Sequence, residues 1–162
     1  MARKLKIGWF SFSCSEDSTI IFTEILNDYY RQWKNLIDFK SILVMQRKSS
    51  IEDLDVAFIE GAITSDSQEE KLKKIRKNTK KLVAVGSCAV IGMPSSQRNQ
   101  FVDENLNKEI AEILIRFQYK EKVLKVSDIV KVDDNVPGCP MNEAVFLQVI
   151  NKYLKEFGIS HA

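Results

Sequence analysis

The sequence predicts an α/β protein built on a doubly wound, parallel sheet, and three observations predict it. Apolar runs recur along the chain at LKIGWFSF (5–12), FKSILVM (39–45), DVAFIEGAI (55–63), KLVAVGSC (81–88) and VKVDDNVPGC (130–139). Most are continuously apolar rather than alternating, the pattern of strands buried on both faces. Between them lie longer segments of helical periodicity, the crossovers that parallel strands require.

The first run, after the basic start MARK, reads as a strand rather than a signal peptide, being short and without a small-residue cleavage site. Past Cys14, residues Phe22, Ile25, Leu26, Tyr29, Trp33 and Leu36 recur at helical spacing. The stretch SDSQEEKLKKIRKNTKK opens with Ser65 and Gln68 at capping-box spacing and turns Leu72 and Ile75 inward beneath a basic face. A third helix is expected from about Asp103 to Phe117, with Leu106, Ile110, Ile113, Leu114 and Phe117 inward. The last is expected to begin at Pro140 and to end near Gly158. About five strands in this alternation suggest the flavodoxin-like arrangement, with helices on both faces of a single domain spanning 1–162.

Composition narrows the function classes. Apolar residues make up 44% and charged residues 28%, values of an ordinary globular protein. Lys and Arg (24) nearly balance Asp and Glu (22), which gives no electrostatic case for nucleic acid or an anionic membrane. The basic run from Lys71 to Lys81 reads as a solvated helix face. No segment approaches the roughly 18 apolar residues of a membrane span, so a cytoplasmic protein without membrane insertion is expected. Three widely spaced cysteines argue against a disulfide framework. The single histidine, His161, lies in a tail expected to fray, leaving no basis for a histidine zinc site or a Ser–His or Cys–His nucleophile.

The cysteines carry the chemistry. Cys14 ends the first strand, Cys88 the fourth in VAVGSCAVIG, and Cys139 the fifth in VPGCP. In a doubly wound sheet, ligands bind outside the carboxyl ends of the strands, which is where all three fall. Buried structural cysteines would sit within strands as small hydrophobes. Beside Gly86, Gly138 and Pro140 they sit in turns, where glycine lets backbone N–H groups approach sulfur. Thiolates gathered on one rim suit an iron–sulfur cluster; zinc is a second option, though the short C-x-x-C knuckles of structural zinc sites are absent. Inert cysteines remain the alternative.

The segments FIEGAI (58–63), VAVGSCAVIG (83–92), PSSQRNQF (94–101) and VPGCP (136–140) resemble the small subunit of nickel–iron hydrogenases. They are similar too to the homologous cluster-bearing subunit of NADH:quinone oxidoreductase. The resemblance runs over nearly the whole chain and implies the short form of that subunit, an electron-transfer protein with one proximal 4Fe–4S cluster. It implies a catalytic large subunit as partner, carrying the nickel–iron centre, and a further electron-transfer subunit. This chain has no paired C-x-x-C motifs for such a centre itself. Cys14, Cys88 and Cys139 carry over as cluster ligands. The hydrogenase pattern C-x-x-C places Asp17 where a fourth cysteine belongs, whereas the quinone-oxidoreductase pattern of adjacent cysteines places Ser15 there. Asp17 is the choice, because carboxylates are ionised at neutral pH and a serine hydroxyl must surrender a proton. Three-cysteine, one-aspartate clusters also occur within the hydrogenase family. Glu16 or an external ligand are the other options, and the competing role for Asp17 is as N-cap of the first helix. Glu60 corresponds to the glutamate of the family's EGAI motif, with a role in proton movement, at the partner interface, or in capping the adjacent turn. Arg98 and Asn99 match the polar segment expected to organise the cluster loop or a partner contact.

Two alternatives belong to other classes. One is the quinone-oxidoreductase type of complex, without nickel. The other is an FMN-binding flavodoxin-like protein, in which the hydroxyl-rich SFSCSEDST would wrap a phosphate. Against the latter, no glycine occurs between Gly8 and Gly61, and Glu16 and Asp17 repel a phosphate.

Overall fold

The computed structural model describes residues 3–46, 49–102 and 104–159, with nothing described of the side chains of 104–106. His161, Asp103 and the inward side chain expected for Leu106 lie outside the described residues. Five strands, β1 (Leu5–Ser11), β2 (Ile37–Ile42), β3 (Leu54–Glu60), β4 (Thr79–Val85) and β5 (Asp134–Val136), form one sheet in the order β2-β1-β3-β4-β5. Every pairing is parallel. The order 2-1-3-4-5 is the flavodoxin-like winding the sequence predicts.

Helices α1 (Asp17–Leu36) and α5 (Glu143–Glu156) cover one face, where Trp9 stacks on Phe22 at 4.4 Å between ring centroids and Phe146 meets Phe58 edge-on. Helices α2 (Asp66–Lys77) and α3 (Gly86–Ile91) cover the other, with Leu72, Ile75 and Ala89 against Ala57, Ile59 and Ala84. β3 is buried along its whole length, as its continuously apolar sequence requires. Ser65 caps α2 by accepting from Gln68 N–H at 3.3 Å, as expected. The Gln68 side chain completes the cap by accepting from Thr64 N–H at 2.8 Å.

Four expectations are corrected. The run KLVAVGSC stops being a strand at Val85, and Cys88 sits inside α3. The second strand begins at Ile37, directly after α1, and ends at Ile42, leaving Leu43, Val44 and Met45 exposed in a turn. Pro140 lies in a turn, and α5 starts at Glu143 because Asn142 supplies its cap, accepting from Val145 N–H at 3.0 Å. The helix expected near 103–117 is present as α4 (Glu104–Arg116), but Ile113, Ile115 and Phe117 are exposed. Its place on the sheet is taken by the segment after it: Val126 is fully buried, with Leu124, Ile129, Val130 and Val132 packed beside it. Among the described residues, no helix is long and apolar enough to cross a membrane.

Candidate functional site

All three cysteines lie where the strands deliver their carboxyl ends. Leaving β1, Phe12 N–H donates to the Glu60 carbonyl at 2.8 Å, and Ser13 exchanges N–H···O bonds of 3.1 and 3.0 Å with Ala62. Cys14 therefore follows backbone already fastened to the end of β3. Glu16 occupies the N-cap position of α1 with a left-handed φ of 61° and no side-chain cap. The first turn of α1 is instead satisfied from across the sheet. Ser18 N–H donates to Glu60 Oε1 at 2.9 Å, while the hydroxyls of Thr19 and Ser11 donate to Glu60 Oε2. Trp9 Nε1–H donates to Thr19 Oγ1 at 2.9 Å, so the network reaches into the aromatic core. Glu60 is 3% exposed, and a carboxylate there also complements the positive end of the helix.

The other two cysteines are placed by glycines. Gly86, at φ +80°, opens α3 and brings Cys88 to the rim, where Ser95 Oγ–H donates to its sulfur at 3.2 Å. Gly138, at φ +114°, makes the turn that carries Cys139; a Cβ there would stand 2.5 Å from the Pro140 carbonyl. Ser87 N–H donates to the Gly138 carbonyl at 2.7 Å, and Met141 N–H donates to Ser18 Oγ at 3.1 Å. One small recess is lined by Cys14, Cys88 and Cys139 together with Ser15, Asp17, Ser18 and Glu60.

The candidate ligands are thus brought together, with differences in detail. Asp17 is the first residue of α1 and lines the recess, with Ser15 Oγ–H donating to it at 2.8 Å. It is not the N-cap, since Glu16 occupies that position and Glu60 accepts the helix N–H. Ser15 lines the recess as well, whereas Glu16 does not. Arg98 and Asn99 hold a neighbouring segment rather than a cysteine. The Arg98 guanidinium donates to the carbonyls of Lys120 and Glu121, and Asn99 exchanges bonds of 2.8 and 2.9 Å with the backbone of Val123. Ser18 and Thr19, which the sequence places in a hydroxyl-rich stretch at the start of the first helix, are partners of Glu60.

The surroundings of Cys14 are unfavourable to a free thiolate. Burial, and after it the nearby charge of Glu60, pushes the Cys14 thiol up to about 12. Its S–H donates to the Phe12 carbonyl, Cys88 is half-buried and Cys139 exposed. Coordination by a cationic centre reverses that bias, because metal-bound thiols are deprotonated outright. Among the described residues, no group of three or more His, Cys, Asp or Glu side chains closes tightly enough to hold a metal ion. The three sulfurs ring a recess instead of converging on a point. Three soft donors from three separate segments at the strand ends, with a carboxylate beside them, suit in chemistry the irons of a cluster.

Fold and site together define a class: flavodoxin-like α/β proteins with cysteines on the carboxyl edge of the sheet. The chain belongs to the family described as NADH ubiquinone oxidoreductase, 20 Kd subunit, which it matches over residues 14–153, from the first cysteine past the third. It is 30% identical to a subunit of the F420-non-reducing hydrogenase of Methanothermobacter marburgensis, over 96% of its own length and 55% of that protein's. It is 29% identical to the delta subunit of sulfhydrogenase 2 of Pyrococcus furiosus, over 75% of this chain and 52% of that one. The chain thus spans about half the length of these curated relatives. A crystal structure of an NAD+-reducing NiFe hydrogenase in its H2-reduced state contains a chain that superimposes with a TM-score of 0.74 at 25% identity, covering 94% of this chain and 93% of that one.

Proposed function

We propose that this chain is the electron-transfer subunit of a hydrogenase complex, an oxidoreductase whose nickel–iron centre resides on a partner large subunit. One 4Fe–4S cluster is held by Cys14, Cys88, Cys139 and Asp17, and a further electron-transfer subunit takes or supplies the electrons. The observation that carries this reading is that the chain's three cysteines, from three separate strand ends, line one recess. The family match and the hydrogenase subunits among its relatives support it. When bound, the cluster supplies one-electron transfer.

The chain's own residues do the rest. Gly86 and Gly138 allow the tight backbone that presents Cys88 and Cys139, and Ser95 donates a hydrogen bond to the Cys88 sulfur, which tunes a bound metal. Glu60 fastens the start of α1, which carries Asp17. The helix N–H that a flavin phosphate would use is already taken by Glu60, which disfavours the FMN reading.

The test is anaerobic co-purification with partner subunits, with iron and sulfide quantified and EPR spectra recorded for the wild type and Asp17→Ala. About four irons per chain, with a three-iron or altered signal in the variant, supports the cluster and its aspartate ligand. An unchanged four-iron signal in the variant removes Asp17 from the ligand set. A complex without iron overturns the electron-transfer reading. Nickel in the same preparation separates a hydrogenase from the nickel-free quinone-oxidoreductase type, after which the family is named.

A further inference from the structure

We propose that Ser18 is a positioning residue that locks the three cysteine-bearing segments into one relative arrangement before any cluster is bound. The inference rests on the cluster reading above but concerns a residue that is not a ligand.

Ser18 is 3% exposed and stands where the three loops meet. Through its backbone N–H it is tied to Glu60 Oε1 at 2.9 Å, which fixes the start of α1 and hence the segment leading from Cys14. Its Oγ accepts from Met141 N–H at 3.1 Å, across 123 residues of sequence, which fastens the turn that carries Cys139. The same Oγ lies 3.1 Å from where a Cβ on Gly86 would stand, so the start of α3, two residues before Cys88, packs directly on the hydroxyl. The Cys88 and Cys139 loops are joined in turn by Ser87 N–H donating to the Gly138 carbonyl at 2.7 Å. Glu60–Ser18–Met141 and Ser87–Gly138 therefore form two hydrogen-bonded pieces of a belt beneath the recess, joined through the turn that Asn142 N–H closes on the Pro137 carbonyl at 2.7 Å.

The Ser18 hydroxyl is the link in this belt that joins α1 to the Cys139 turn. Losing it leaves the Met141 N–H, in a buried setting, without its acceptor. The lock has a physical use. Loops without such ties would have to be ordered as the cluster enters, at the cost of its retention, whereas preformed loops avoid that entropy.

The experiment uses the anaerobic complex with Ser18→Ala and, as a control on the same helix, Thr23→Ala, whose hydroxyl donates to the Ile20 carbonyl within its own helix. The alanine keeps the backbone N–H to Glu60, so α1 retains its cap. Thermal unfolding is recorded alongside. Iron loss to a chelator, bathophenanthroline, is expected to be about five- to tenfold faster in Ser18→Ala, the equivalent of one hydrogen bond, with a changed EPR line shape. Thr23→Ala should match the wild type in both. Wild-type retention and line shape in Ser18→Ala, or equal acceleration in both variants, overturns the proposal. A second measurement does not need the cluster. In the full metal-free chain, iodoacetamide should alkylate Cys139 and Cys88 faster in Ser18→Ala than in the wild type, and equal rates overturn the lock. If the wild-type complex holds no iron, the function proposed above fails. The alkylation comparison then decides the lock by itself.

Discussion

Two buried carboxylates stand at opposite ends of β3, and their surroundings differ in kind. Asp55, at the amino end and 2% exposed, is met by cations: Lys80 Nζ at 2.7 Å and Arg3 at 3.2 Å, with Lys6 N–H donating to its other oxygen. Burial pushes its carboxyl up, but the Lys80 hydrogen bond, the Lys6 N–H and the nearby charges outweigh that and hold it below the usual range. Glu60, at the carboxyl end and 3% exposed, is met only by N–H and O–H groups among the described residues. The amino edge is therefore neutralised internally, as a purely structural site should be. At the carboxyl edge the buried acid is held by neutral donors alone among the described residues, and it shares its recess with three cysteines.

The largest test of this contrast is removal of a sulfur. Cys139 is exposed, so Cys139→Ala should leave the thermal stability of the metal-free chain little changed, yet it should abolish bound iron in the co-purified complex. Retention of full iron would return the carboxyl edge to a structural role.

Next comes a matched pair of substitutions. Asp55→Ala strands the Lys6 N–H and two cations, and should cost about 2 kcal/mol in denaturant unfolding, discounted because both cations are about half exposed. The stability that Asp55 contributes is present above the ordinary carboxylate range and is lost as pH falls through its depressed value, so the variant should show a shallower acid decline. Glu60→Gln keeps an acceptor for Ser18 N–H and should cost only about 1 kcal/mol. It removes the charge beside Cys14, however, so the thiol should fall from about 12 and its alkylation at pH 9 should quicken. An unchanged alkylation rate would mean that burial alone holds the thiol up.

The smallest effect lies outside both carboxylates. Lys120 pairs with Asp66 and Glu69, fastening the segment after α4 to the start of α2, and together with Lys73 it lowers Glu69 to about 2. In Lys120→Ala the Glu69 midpoint, followed by NMR, should rise toward the ordinary range, with iron content unchanged. A loss of iron there would extend the functional edge beyond the cysteine loops.

Much of the architecture was legible in local pattern. A run such as DVAFIE has the length and continuous apolarity of a strand buried on both faces, and the helical spacing from Phe22 to Leu36 has one apolar side, so the alternation followed from residues close in sequence. The positions of Cys14 and Cys88 were legible for the same reason, since each closely follows a run of that kind, and Cys139 was legible from the turn residues of VPGCP. Their convergence on one recess required the sheet order. Less legible was α4, whose periodicity resembles that of a core helix; whether the sheet has room for it depends on Val126 and its neighbours arriving from further along the chain.

The sequence by itself determined the parallel sheet, the edge on which the thiols fall and the short list of oxygen donors near Cys14, because each is set by spacing within a few residues. Only the tertiary structure decided what the hydroxyls of SFSCSEDST are for. Ser18 and Thr19 meet Glu60 across 42 and 41 residues, and Ser18 meets Met141 across 123. A hydrogen bond is specified by position in space, and no local pattern reports which distant donor or acceptor the fold will bring within about 3 Å.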